Sequence, residues 1–130
     1  MTQPIWLLKP AVLSIHNMVI AEFGGIDGLR DEGLLDSALA RPNNLYSYER
    51  SEALARLAAA YTFGIIQNHP FLDGNKRTGF MCAYVFLGRN GLELRADEVS
   101  AATRTLALAA SETDEATYAE WLAQNVFPDG

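Results

Sequence analysis

Cysteine is nearly missing from this 130-residue chain: the single one, Cys82, sits inside an apolar run, which excludes a disulfide framework and a multi-thiolate metal cage. Positive charge is in deficit too. Ten Lys and Arg face sixteen Asp and Glu, for a formal charge of -6 and a pI near 4.8, a poor footprint for a protein that coats nucleic acid or anionic lipid. No apolar stretch approaches the ~20 residues of a membrane span, and strand-like alternation, internal repeats and low-complexity segments are equally scarce. Pro4 and Pro10 bracket Ile5-Trp6-Leu7-Leu8 before a signal-type apolar region can develop, so a cytoplasmic protein is expected. What the chain does have is 49% hydrophobic residues, enough for one sizeable core, and the expectation is a single domain over 1–130.

Helical periodicity dominates. After Pro10, which suits a first helical position, Val12, Ile15, Val19 and Phe23 recur at helical spacing until Gly24-Gly25 stops the run. Gly24 to Gly33 reads as a flexible connector, and Asp31 can cap a helix with Leu34, Leu35, Ala38 and Leu39 on its apolar face, ended by Pro42. A third helix is expected from Ser51 to Gln67 and a fourth, apolar all round, through Phe80 to Leu87; both should be core. Leu92-Glu93-Leu94 is too short to assign. Asp97 opens a fifth helix with Val99, Ala102, Leu106 and Ala109 facing inward, and a sixth presents Tyr118, Trp121, Leu122 and Asn125 before Pro128. The fold class is therefore all-α, a compact six-helix bundle.

One segment departs from this core-or-surface logic. His69-Pro70-Phe71-Leu72-Asp73-Gly74-Asn75-Lys76-Arg77 lies between the two most apolar helices. Gly74, Asn75, Lys76 and Arg77 stand where the next helix must start, so free backbone N–H groups and the positive dipole end make an anion site there. Arg77 adds a planar fork and Lys76 a mobile charge, and a phosphate is the obvious guest. Asp73 beside it suits Mg²⁺, which is commonly held by one or two carboxylates with phosphate oxygens and water. His69 can take a proton from an incoming hydroxyl. Singly, Asp73-Gly74-Asn75 reads as a common turn, Phe71 as an anchor for the loop, and His69 as a loop histidine. Together, seven chosen residues in a nine-residue window at roughly 5% usage each match by chance about once in ten million chains.

The pattern His69-x-Phe71-x-Asp73-Gly74-Asn75-Lys76-Arg77 resembles the signature of the Fic superfamily, in particular its death-on-curing (Doc) branch. Leu13-x-Ile15-His16, Phe23-Gly24-Gly25 with Gly28, and Phe86-Leu87-Gly88-Arg89-Asn90-Gly91 extend the similarity over most of the chain. The resemblance implies a six-helix domain with its active-site loop at the N-terminus of a central helix. It also implies His69 as general base, Asp73 as Mg²⁺ ligand and Gly74 to Arg77 as a cradle for the phosphates of ATP. Lys76 stands where AMP-transferring members have glycine, a substitution that in Doc proteins goes with an inverted nucleotide and γ-phosphoryl transfer. The implied function is a toxin-like protein kinase. It would modify a Ser or Thr hydroxyl of a translation factor, by resemblance elongation factor Tu, and be silenced by an antitoxin protein.

Phe80 occupies the place of the second arginine of the longer Fic motif, which alters the implied grip on the nucleotide. Nucleotidyl (AMP) transfer to a protein hydroxyl uses the same base, metal and cradle with the opposite end of the nucleotide. A non-catalytic phosphate-binding or antitoxin-sequestering module needs neither His69 nor Asp73, and a Mg²⁺-dependent nuclease is disfavoured by the acidic pI. His16 is expected to be a packed, hydrogen-bonded histidine, while Ser111-x-x-x-Glu115 reads as helix capping rather than as a self-inhibitory motif. The Gly24 to Gly33 connector reads as turn material, placed by the resemblance near the active-site mouth.

Overall fold

The computed structural model describes residues 3–48 and 53–129, in which six helices and one two-stranded sheet form. The helices are α1 (Lys9–Phe23), α2 (Glu32–Tyr48), α3 (Leu54–Asn68), α4 (Asn75–Arg89), α5 (Glu98–Ala109) and α6 (Glu115–Gln124). Short polar side chains start three of them: the carboxylates of Asp31, Asp97 and Asp114 accept from the N–H groups of Leu34, Ser100 and Thr117 at 2.7–2.9 Å. Asp114, not Ser111, is thus the cap of α6. Glu115 is drawn instead to the Arg41 guanidinium on α2, so the expected capping role of the Ser111-x-x-x-Glu115 pattern is corrected. The start expected at Ser51 lies outside the described residues.

Helix α3 is the axis of the bundle. Leu57, Ala58, Ala59, Ala60, Tyr61, Thr62, Gly64 and Ile65 are all buried, because α2, α4 and α6 pack around it. Small residues allow the close approach. A Cβ on Gly64 would stand 3.1 Å from the Ala38 carbonyl of α2, and one on Gly79 of α4 would stand 3.2 Å from the Thr62 carbonyl, whose own hydroxyl donates to Gly79 O at 2.8 Å. Tyr61 donates nothing to solvent: its hydroxyl accepts from Leu7 N at 3.0 Å, and burial pushes its phenol up to about 12.

Three expectations are corrected by packing, and one unassigned segment finds its place. Pro42 does not end α2, which runs on to Tyr48; the proline ring is buried in the helix, and that contact offsets the backbone bond its missing N–H removes. On α5 the buried face is Ala101, Thr105 and Leu108, while Val99 is 76% and Leu106 54% exposed. Apolar residues occur on both sides of that helix, and the bond between the Thr105 and Tyr118 hydroxyls at 2.9 Å, with Leu108, selects the side that turns inward. Helix α4 is not core all round, since Tyr84 faces out. Leu92–Leu94 forms β1, antiparallel to β2 (Val126–Pro128), with Leu92 opposite Pro128 and Leu94 opposite Val126. No described helix is long and apolar enough to cross a membrane.

Candidate active site

Helix α3 ends at Asn68 and α4 begins at Asn75, so the singled-out segment lies on the loop between these two core helices and on the first turn of α4. Two buried side chains stiffen it. Asn75 reaches back along the loop, its amide nitrogen donating to Phe71 O and its amide oxygen accepting from Phe71 N, both at 3.0 Å. Its side chain is thereby consumed, and only its backbone N–H is left for a phosphate. Phe71 is buried and stacks on His16, with centroids 3.8 Å apart and planes 6° from parallel. His16 is packed as expected: Asp73 O can only accept, so the His16 Nε2 at 2.9 Å carries the proton.

The connector of residues 24–31 forms a strap along the loop rather than a free turn. Leu72 N donates to Gly28 O at 3.0 Å, Leu29 pairs with Phe71 as an isolated bridge, and Arg30 and Asp31 donate their N–H groups to Pro70 O. The strap also holds Asp73. Ile26 N donates to Asp73 Oδ2 at 3.2 Å and Gly74 N to Oδ1 at 2.8 Å. These two donors, Ile26 foremost, keep the Asp73 carboxyl below the usual carboxylate range, so it is ionised at neutral pH.

A cleft of ≈ 590 Å³ opens where α1, the loop, the first turn of α4 and the end of α5 meet, and His69, Asp73, Gly74, Asn75, Lys76 and Arg77 all line it. His69 closes α3 in the left-handed conformation, φ 51 and ψ 54. Lys76 is exposed and makes no ion pair among the described residues, so its charge is available to a ligand. The Arg77 guanidinium lies 3.8 Å over the Phe23 ring. Phe23 was expected on the inward face of α1, but as the last residue of that helix it projects past the core, 53% exposed, and serves as the platform for Arg77.

The described residues contain no cluster of three or more His, Cys, Asp and Glu fit for a metal ion. The ionised carboxylate of Asp73, beside the N–H groups of the first turn of α4, fits a cation whose shell is completed by phosphate oxygens and water, as with Mg²⁺ on a nucleotide. Gly25 tests this arrangement. It has φ +118, and a Cβ there would stand 2.7 Å from Asp73 Oδ2, whereas Gly24, with φ +84, has open space. Alanine at either position should destabilise by ~1–3 kcal/mol through backbone strain. Gly25→Ala alone should also weaken Mn²⁺ binding in the presence of ATP, by roughly 10–100-fold. Thermal unfolding and a Mn²⁺ titration of the two variants separate the effects.

Sequence reasoning placed every lining residue of the loop but missed Phe23 as a platform, the N–H of Ile26, and Arg30. The glycines of the connector, φ +84, +118 and +121 at Gly24, Gly25 and Gly28, were the available signal that this backbone must bend closely around something.

Comparison with known proteins gives one family. The sequence model of the Fic/DOC family matches residues 6–87. A protein named Toxin Doc from Mycolicibacterium smegmatis is 45% identical over 76 residues, which span 58% of this chain and 58% of that relative. A protein named Protein kinase doc from Escherichia phage P1 is 30% identical over 111 residues, covering 85% of this chain and 87% of the phage protein.

Proposed function

The chain belongs to the Fic/DOC family, and on that premise we propose that it is a Doc-like toxin kinase, working as a single domain in the cytoplasm. It transfers the γ-phosphoryl of ATP to a Ser or Thr hydroxyl of a translation factor, elongation factor Tu by resemblance. The observation that carries this reading is the convergence of a histidine, an ionised aspartate and a lysine without an ion pair among the described residues on one cleft at the N-terminus of α4. His69 takes the proton of the acceptor hydroxyl as its oxygen attacks the γ-phosphorus, and the bond from that phosphorus to the ADP oxygen breaks. Asp73 would hold Mg²⁺, which when bound offsets the charge on the phosphate oxygens. The backbone N–H groups of Asn75, Lys76 and Arg77, with the two side-chain charges, cradle the phosphates. Phe71 and the Asn75 side chain keep the loop rigid.

An antitoxin protein is the proposed partner. Phe23, Ile26, Leu29 and Leu72 are exposed around the mouth of the cleft, an apolar rim suited to a macromolecule rather than to the nucleotide. The test is to supply cytosolic extract with ATP labelled separately on the α- and γ-phosphates. Entry of the γ label alone into protein is the expected result. Entry of the α label would establish nucleotidyl transfer instead, and entry of neither would leave a phosphate-binding module.

A further inference from the structure

We propose that Arg30 is a positioning residue for His69, holding the backbone of the base in the conformation that keeps its imidazole on the cleft. This rests on the kinase reading above for what the imidazole does, and on geometry for how it is held. The last carbonyls of α3 have no partner within the helix. Helices commonly solve this by ending on a left-handed glycine or asparagine. Here the left-handed residue is His69 itself, φ 51 and ψ 54, a conformation disfavoured for a residue with a Cβ.

Arg30 supplies what holds it there. Its Nε donates to His69 O at 2.7 Å and its Nη2 to Asn68 O at 2.9 Å. Its own backbone N–H donates to Pro70 O at 2.7 Å, so one residue of the strap grips three successive carbonyls. Asn68 Nδ2 donates to Leu34 O at 2.9 Å, tying the same point to α2.

The His69 side chain has no hydrogen-bond partner among the described residues, as a free base requires. No carboxylate among the described residues hydrogen-bonds the ring in the way a catalytic dyad or triad would, which leaves the main chain to aim it. The planar guanidinium fork fits two adjacent carbonyls at once, which a lysine ammonium does not. Arg30 does not line the cleft, so it acts through His69 and not on the substrate.

The test is a double-mutant cycle of Arg30→Ala and His69→Ala, following the γ label into the acceptor protein of a cytosolic extract, with Arg30→Lys as the conservative variant. Arg30→Ala should lower kcat roughly 10–100-fold, the cost of a misplaced group, and leave the KM for ATP within about twofold. In the His69→Ala background the same change should have almost no further effect. Arg30→Lys, which keeps charge at the end of α3 without the fork, should recover less than half of the loss. In parallel, NMR of Arg30→Ala should show His69 leaving the left-handed region. Equal losses in both backgrounds, or a joint loss of kcat, ATP affinity and thermal stability, would make Arg30 merely structural and overturn the proposal. If His69→Ala alone turns over like the wild type, the reading of His69 as base fails, and the conformation of His69 in Arg30→Ala then decides the positioning claim by itself.

Discussion

Replacing His69 with alanine is expected to slow γ-phosphoryl transfer by roughly 10²–10⁴-fold, the usual share of a general base, while the bundle stays folded and ATP still binds. The separation follows from where the residue lies. Its side chain is exposed at the end of α3 and contributes nothing to the core cluster, so its loss leaves no cavity. The loop keeps its shape, because the Asn75 amide and the Phe71–His16 stack hold it independently. Single-turnover transfer of the γ label, with ATP affinity by calorimetry and the melting temperature as controls, checks each part. Wild-type turnover in the variant removes His69 from the mechanism. A parallel fall in melting temperature would instead assign His69 a structural part at the α3 C-cap.

Lys76→Gly carries the second large effect. Lys76 is on the first turn of α4, exposed, lining the cleft and unpaired among the described residues. It therefore serves no folding interaction that its removal would damage. In the kinase reading its charge faces phosphate oxygens on which charge builds during transfer, and loss of one such aimed donor costs roughly 10²–10³ in rate. Its volume also matters, since glycine opens space at the cradle through which the nucleotide can be turned. The expected result is a γ-label rate down by that factor, with a weak α-label signal where none existed. Lys76→Arg keeps the charge but replaces a mobile ammonium with a wider planar group, and should be slow as well. A surface lysine of no consequence would give less than about threefold change for either variant, within the few tenths of a kcal/mol typical of exposed positions.

His69 and Lys76 were legible as candidates from their place beside a helix start, because a helix N-terminus exposes N–H groups wherever it occurs and these two polar residues lie between apolar helices. Asn75 shows the limit of that reasoning. It belongs to the same segment, but its side chain is spent on Phe71, a use that depends on the loop returning within 3.0 Å of itself. Arg30 and Phe23 were beyond reach for the same reason: each meets its partners 38 or more positions away along the chain.

Local chemistry settled what the sequence by itself could decide. Six helices, the aspartate caps Asp31 and Asp97, and the inward Val12, Ile15 and Val19 of α1 follow from periodicity and short-range hydrogen bonding, which act within a few residues. So does the segment 69–77 as a polar stretch set between two core helices. Tertiary structure decided the rest. Hydropathy could not choose the buried side of α5, because both sides are apolar and one hydroxyl pair, Thr105 with Tyr118, selects between them. It could not foresee Pro42 inside α2, since only burial of the ring compensates the lost bond. Nor could it turn a glycine-rich connector into the wall that holds the Asp73 carboxylate and grips the His69 carbonyl. That wall exists because Gly25 lets the backbone pass close enough to a carboxylate for Ile26 N–H to reach it, and such proximity is a property of the packed chain, not of any stretch of it.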